Sequence, residues 1–207
     1  LGVGPGATIQ FLGPILVLAW MAVVRRQPVR GVVWLAAVGA VVGVALVTEA
    51  WSLSTGDMLG VGAGLAAAVT FAFYLLYGER LAEDYEPVYI TTWGFVFASI
   101  IWLIVLPLWT FPTEIGGSAW RDLVIVGVLG TAVPFIVEFR ALSLVASGIV
   151  GVVATLEPAI GAVAAWVLLD QTLAPVQWIG VVVVVGAVAV VQRWGIPDDQ
   201  PTVPYVS

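Results

Sequence analysis

The chain has 207 residues, of which 61% are hydrophobic and only 10% are charged. This balance is far from that of a soluble domain and indicates an integral membrane protein. The formal net charge is −6, and no lysine is present. The sequence therefore offers no basic surface for a nucleic-acid backbone, and nucleic-acid binding is disfavoured.

Three residue types that carry much of protein chemistry are absent from the sequence: Cys, His and Lys. Without Cys and His there is no disulfide, no haem or thiolate metal site, and no Ser-His or Cys-His nucleophile pair. Without Lys there is no Schiff base for a retinal pigment. We therefore expect no cofactor, no metal site and no enzymatic activity.

Seven apolar segments are long enough to cross a membrane as helices, and short connections join them. The sequence thus predicts an all-α integral membrane protein with seven transmembrane helices. Residues 194–207 are rich in proline and aspartate and are predicted to form a disordered cytoplasmic tail. The predicted spans are Val3 to Val24, Val32 to Thr48, Met58 to Gly78, Val88 to Leu108, Leu123 to Ala141, Val145 to Leu169, and Val176 to Gln192.

An internal repeat relates the beginning of the chain to its end. Four residue pairs share the offset of 144 that separates Pro14 from Pro158. Each copy continues as two apolar spans joined by a short polar turn. The matched pairs are Gly4 with Gly148, Pro14 with Pro158, Gln27 with Gln171, and Trp34 with Trp178.

The offset also predicts how much of each copy the chain contains. If the second copy begins near Leu59, the first copy would begin about 85 residues before residue 1, which is room for three further spans. Residues 1–48 are then the last two helices of the first copy, and residues 57–193 are a complete second copy of five. Because each copy has an odd number of spans, the two would be inverted in the membrane. We expect a remnant of a ten-helix, 5+5 inverted-repeat transporter fold.

The arginines predict the orientation, because loops on the cytoplasmic side of a membrane collect positive charge. Alternating the seven spans puts six of the seven arginines on one side and only Arg121 on the other. That side is predicted to be cytoplasmic. The C-terminus would then be cytoplasmic and residue 1 would lie on the outer side of the plasma membrane.

Glu157 and Pro158 lie near the middle of the predicted span Val145 to Leu169. A charge at the centre of a membrane helix costs about 2.5 to 3.5 kcal/mol, so such a residue usually faces a polar cavity or a partner on a substrate or proton path. Proline removes one backbone donor and opens the helix locally. We predict a transport site here; a protonated, hydrogen-bonded structural glutamate remains the alternative.

Glu138 follows Pro134 by four residues and shares its helical face, which Gly130 continues. The sequence allows Glu138 to face a cavity and to form a proton relay with Glu157. A structural ion pair with the neighbouring Arg140, or a group that reaches the interface, explains Glu138 equally well.

A small and aromatic stripe follows one face of the third predicted span. It consists of Ala67, Phe71, Tyr74 and Gly78, at spacings of four, three and four. Phe71 and Tyr74 could line a substrate pocket. Ordinary packing or anchoring at the membrane interface is the alternative.

Several of these patterns occur in an order that resembles a known family. In this order and spacing, they resemble the EamA family of the drug/metabolite transporter superfamily, especially its threonine/homoserine exporter-like branch. The motifs are Gly64–Ala68 leading into Phe71–Tyr74, Gly78-Glu79-Arg80, Gly130–Phe135 leading to Glu138, and Leu156-Glu157-Pro158-Ala159.

The resemblance implies a ten-helix transporter of two inverted five-helix repeats that exports amino acids or related small metabolites, driven by the proton gradient. Membrane lipid, a small polar metabolite and protons are its expected partners, and a homodimer is left open. The alternative is a non-transporting membrane subunit or a truncated, inactive remnant that lacks the first three helices.

Overall fold

A computed structural model describes residues 3–52, 58–110 and 116–194 of the chain. These residues form ten α-helices, a π-helical turn at Val128–Ala132 and two short 3₁₀ turns, with no strand among them. The predicted tail beyond Trp194 lies outside the described residues. The helices are α1 Val3–Gln10, α2 Gly13–Val23, α3 Gly31–Val47, α4 Met58–Asp84, α5 Pro87–Val105, α6 Gly117–Gly127, α7 Val133–Leu142, α8 Ser147–Ala154, α9 Leu156–Leu169, and α10 Pro175–Trp194.

The helices confirm the predicted all-α membrane fold. Six apolar helical segments reach the length of a membrane span, and α3 is a shorter apolar helix. Two helices extend more than one turn beyond their predicted spans: α4 continues to Asp84, and α6 begins at Gly117. The added turns are polar, and Arg80 pairs there with Glu83 one turn away. Charged residues interrupt the apolar pattern from which the spans were predicted, but they do not end a helix, because most of them have high helix propensity.

The chain divides into two compact units, residues 1–76 with 145–207, and residues 77–144. The helices of the first unit repeat with the predicted offset of 144. Helix α1 begins at Val3 and ends at Gln10, and α8 begins at Ser147 and ends at Ala154. Helices α3 and α10 begin at Gly31 and Pro175. The two copies therefore share helix boundaries as well as residues.

Helices α3 and α10 form the centre of the first unit and are repeat equivalents of each other. All five buried residues of α10 correspond to buried residues of α3 at the offset of 144. Half of these positions hold Gly or Ala, which allow membrane helices to approach closely, and the other half hold Val. The corresponding pairs are Ala36 with Gly180, Ala40 with Val184, Gly43 with Ala187, Val44 with Val188, and Val47 with Val191.

Hydrogen bonds at the helix ends show that α3 and α10 run antiparallel. Arg30, just before α3, donates from Nη1 to the carbonyl of Trp194 at the end of α10, at 2.9 Å. Gln177, in the first turn of α10, donates from Nε2 to the carbonyl of Val47 at the end of α3, at 3.0 Å. The last carbonyls of a helix lack internal partners, so each helix supplies a cap to the other. Equivalent helices of two inverted repeats must run antiparallel, as α3 and α10 do.

The second unit contains the end of α4 with α5, α6 and α7. Phe95 of α5 meets Phe135 of α7 edge to face, with ring centroids 5.2 Å apart. Gly78 of α4 leaves room for Phe139 and Leu142 of α7: a Cβ atom there would lie 2.9 Å from the Phe139 ring. The inward face of α7 is therefore held by packing against both α4 and α5.

Gly180 provides a test of the α3–α10 contact. A Cβ atom at Gly180 would lie 2.7 Å from the carbonyl oxygen of Gly43 and 2.7 Å from the amide nitrogen of Val47. Because both neighbours are backbone atoms, Gly180→Ala should force the helices apart and lower the free energy of unfolding by about 1 to 3 kcal/mol. Thermal unfolding in detergent measures the loss.

Gly186→Ala is the matched control on the same helix, since a Cβ there meets nothing within 4 Å. It should leave stability unchanged or raise it slightly, by about 0.5 kcal/mol, because Ala favours helix more than Gly does. Equal changes in the free energy of unfolding for the two substitutions would show that the α3–α10 contact tolerates an added methyl group at Gly180.

Candidate functional site

The span that contains Glu157 is broken in two at Thr155, between α8 and α9. Thr155 is fully buried. Both its amide and its hydroxyl donate to the carbonyl of Val152, at 3.2 and 2.6 Å. Three residues later, Pro158 has no N–H, so the carbonyl of Ala154 receives no α-helical hydrogen bond from it. The break therefore leaves the Ala154 carbonyl without its usual α-helical donor inside an apolar span, three residues before Glu157.

The first copy has a matching break between α1 and α2. The amide of Leu12 donates to the carbonyl of Ile9 at 3.1 Å, which tightens the chain into a 3₁₀ turn. Pro14 is the equivalent of Pro158 and deprives the carbonyl of Gln10 of its α-helical donor. The two prolines thus produce the same interruption in both copies.

Both breaks adjoin one hydrophobic cluster in the first unit. The buried members of this cluster are Phe11, Val44, Ala159 and Val184, and partly buried Leu156 packs against them. Phe11 lies at the first break, while Leu156 and Ala159 lie in the first turn of α9 after the second. The broken helices therefore meet in the middle of the unit, where transporters with inverted repeats place their binding sites.

Phe71 joins this cluster from α4. Its ring meets Phe11 edge to face at 6.1 Å and stacks on Tyr74 at 6.3 Å. A Cβ atom at Gly13 would lie 2.7 Å from Phe71 Cδ1, so this ring uses the space that the glycine leaves. Phe71 and Tyr74 are both partly buried. Their assignment to a substrate pocket stays a prediction.

The inward face of α4 differs from the predicted stripe. Within the first unit its buried residues are Gly64, Ala68, Ala72 and Leu75, while Ala67 is only partly buried. Gly64 lies against Ile9 of α1, and Leu75 lies against Gly151 of α8. The residues that allow close approach to neighbouring helices form the buried face. The centre of this face lies one residue away from the predicted stripe of small and aromatic residues.

Glu157 is exposed on the surface of the first unit. Among the described residues, its carboxylate has neither a salt bridge nor a hydrogen bond. The first turn of α9 favours a negative charge, because the unpaired amides of a helix N-terminus carry partial positive charge. The equivalent residue of the first copy is Gly13, which is buried against α4. The two copies thus differ in chemistry at the same structural position.

Pro134 and Glu138 lie in the second unit, on α7. Glu138 is partly buried and Pro134 is exposed. The π turn Val128–Ala132 precedes them, and the Thr131 hydroxyl donates to the carbonyl of Val126 at 3.0 Å. The π turn changes the helical register between Gly130 and Pro134. The shared face of Gly130, Pro134 and Glu138 stays a prediction. The relay between Glu138 and Glu157 remains a prediction.

Comparison with known proteins places this fold in a family. The family model for the EamA-like transporter family matches residues 58–193. The chain belongs to this family. The matched segment runs from the start of α4 to the last turn of α10 and contains Phe71, Tyr74, Pro134, Glu138 and the Glu157–Pro158 pair.

Curated relatives include the threonine/homoserine exporter RhtA of Escherichia coli (strain K12), which is 28% identical over 190 residues. The same exporter from Salmonella typhimurium (strain LT2) is 27% identical, and the uncharacterized inner membrane transporter YicL of that strain is 24% identical. These alignments cover 88 to 89% of this chain and 60 to 62% of the relatives. The chain thus spans about three fifths of the length of the curated relatives it matches.

A solved structure described only as the crystal structure of a protein shares the fold. Its TM-score is 0.76 at 19% sequence identity, and the match covers 94% of this chain and 68% of that one. The similarity supports the helical arrangement across nearly the whole chain.

Phe71→Ala tests whether the Phe71 ring stabilises the hydrophobic cluster next to the two helix breaks. The substitution removes a ring that touches Gly13, Phe11 and Tyr74, and we expect it to lower the free energy of unfolding by about 2 to 3 kcal/mol. Phe73→Ala on the same helix is the matched control, because Phe73 is 64% exposed. Chemical denaturation in detergent compares the two. A loss from Phe73→Ala as large as that from Phe71→Ala would contradict the assigned role.

Proposed function

We propose that this chain forms the transport site of a secondary exporter for small amine-bearing metabolites such as amino acids, with Glu157 as the group that binds ammonium or a proton. The single observation that carries the proposal is an unpaired carboxylate at a helix break inside an apolar span. Membership of the EamA-like transporter family and the similarity to the threonine/homoserine exporter RhtA support the same function.

A negative charge on Glu157 is energetically costly inside an apolar span. An ionised carboxylate within the hydrocarbon region costs about 2.5 to 3.5 kcal/mol unless water, a proton or a counter-charge compensates it. No described residue supplies that counter-charge to Glu157. A substrate ammonium would form a charge-assisted hydrogen bond with the carboxylate, which is among the stronger interactions available to a small ligand.

Proton coupling follows from the same group. Protonation of Glu157 removes the negative charge and with it the attraction for an ammonium ion. A proton that enters and an amine that leaves would therefore exchange at one site, since both compete for one carboxylate. Such exchange allows a proton gradient to drive export without a second ion site.

The arginine distribution supports an orientation for this exporter. Six of the seven arginines fall on the side that also holds the C-terminus, and positive loops face the cytoplasm. In this orientation α9 runs from the cytoplasmic side toward the outer side of the membrane, and Glu157 follows the break in that direction.

Glu157→Gln tests the assigned role in vesicles that contain the purified chain. Counterflow of labelled homoserine should slow about tenfold, because the amide keeps the shape but loses the charge-assisted bond. The dependence of the remaining rate on pH should flatten. Asp170→Asn is the matched control: Asp170 ends the same helix in a left-handed conformation that Asn accepts equally well.

Two outcomes would contradict the proposal and favour an alternative. If Glu157→Gln leaves the rate and its pH dependence unchanged, Glu157 has no role in transport. If the unmodified chain gives no counterflow while it folds and inserts, the chain alone is a non-transporting membrane subunit.

Reporter fusions test the orientation. A fluorescent protein fused after Ser207 should fluoresce in cells, because that reporter folds in the cytoplasm. Alkaline phosphatase inserted between Asp170 and Pro175 should be active, because this loop is predicted to lie outside. The reverse pattern would invert the proposed topology.

A further inference from the structure

The charged residues of the first unit are separated by sign between its two ends. Among the residues that the structure describes in this unit, every arginine lies where α2 and α10 end and α3 begins. Two of the three described acids, Glu49 and Asp170, lie at the opposite end, after α3 and α9. We call the first of these ends the arginine end, and its arginines are Arg25, Arg26, Arg30 and Arg193.

One hydrogen bond brings the start of α3 to the end of α10. Arg30 donates from Nη1 to the carbonyl of Trp194 at 2.9 Å, so Arg30 lies beside the residue that follows Arg193. A guanidinium has five N–H donors, and this bond uses one of them. The side chains of Arg26 and Arg193 are exposed and have no hydrogen bond or ion pair with any described residue. The arginine end therefore offers N–H donors and positive charge that the described part of its unit leaves unused.

The fold does not require a base at these positions, because the second copy makes the same turn with an acid. Arg26 has a φ of 53°, and its equivalent Asp170 has a φ of 52°. The glutamine after each residue donates its amide to the carbonyl six residues earlier, at 3.0 Å in the first copy and 3.3 Å in the second. The offset of 144 also pairs Arg193 with Glu49. Equivalent positions of the repeat thus carry bases at one end of the unit and acids at the other.

The arginine end lies where a bilayer presents its phosphates. Three apolar helices begin or end there, and tryptophans flank the arginines, as is typical of the membrane interface. Trp20 is 48% exposed and Trp194 is 53% exposed. A guanidinium can bind two phosphate oxygens at once through parallel N–H groups. Because the net charge of the arginine end is positive, it is complementary to lipids with a negative headgroup.

We propose that the arginine end binds the headgroups of anionic phospholipids, such as phosphatidylglycerol, and that the bound lipid strengthens the contact between α3 and α10. Arg30 already joins these helices through its bond to Trp194. A phosphate shared by Arg30 and Arg193 adds a second link between the same two helices. The rule that places arginines in the cytoplasm concerns insertion of the spans and needs no binding site. The proposal concerns the folded protein and does not depend on its transport function.

The double variant Arg26→Gln with Arg193→Gln tests the site, because neither side chain has a partner to lose among the described residues. Native mass spectrometry of the full chain compares phosphatidylglycerol with phosphatidylcholine of identical acyl chains. The unmodified chain should bind phosphatidylglycerol about tenfold more tightly, and the double variant should lose most of this preference. Arg80→Gln with Arg121→Gln is the matched control. It removes the same charge from the second unit, where each arginine already pairs with an acid, and should change the preference less than about twofold.

Thermal unfolding in neutral detergent micelles provides a second readout. Phosphatidylglycerol should raise the unfolding temperature of the unmodified chain by several degrees more than phosphatidylcholine does, because a ligand that binds the folded state stabilises it. Sodium chloride at about 0.5 M should remove the difference by screening the charges. The salt test uses the unmodified protein, so it remains decisive even if the double variant does not fold.

Four results would overturn the proposal. Equal binding of the two lipids removes the site, and an equal loss in the control variant shows that only net charge matters. Equal stabilisation by inorganic phosphate at the same concentration means that the arginines bind soluble anions. If phosphatidylglycerol binds only after residues 196–207 are deleted, the acids of that segment, Asp198 and Asp199, occupy the arginines in the full chain.

Discussion

The antiparallel contact between α3 and α10 is the constraint on which the first unit depends. The hydrophobic effect does not drive helix association in lipid, so helices stay together through close packing and satisfied polar groups. Both occur here: Gly43 and Gly180 allow the backbones to approach, and Arg30 and Gln177 cap the opposite helix ends. Val44 and Val184, on these two helices, belong to the cluster that also contains Phe11 and Ala159. The contact thereby brings the two helix breaks to one place.

The two copies keep the same backbone and differ in side-chain chemistry. Pro14 and Pro158 interrupt their helices equivalently, but the preceding residue is a buried glycine in one copy and an exposed glutamate in the other. Helix α4 fills the space beside Gly13 with Phe71, which leaves no room for an acid. The repeated backbone thus holds an acid at only one of its two helix breaks.

The apolar pattern of the sequence predicted the seven spans, and the aligned proline, glutamine and tryptophan residues predicted the repeat, because both are properties of residue type and spacing. Other features depend on what lies opposite a residue. The inward face of α4 at Ala68 and Leu75 arises from contacts between helices that no single span encodes. Thr131 and Pro134 were the available signal for the π turn, since a hydroxyl that can bond back to the helix and a missing N–H both favour a change of register.

The surroundings of Glu157 agree better with the proposed transport role than with a structural one. A structural glutamate that is kept protonated would need a hydrogen-bond partner, because a buried and unpaired polar group costs about 1 to 3 kcal/mol. Thr155, the nearest hydroxyl in sequence, is already bonded to Val152, and the described residues provide no other partner to this carboxylate. An acid that is neither paired nor buried in its own unit needs compensation from outside it. In the proposed transport site, water, a proton or a substrate amine would supply this compensation.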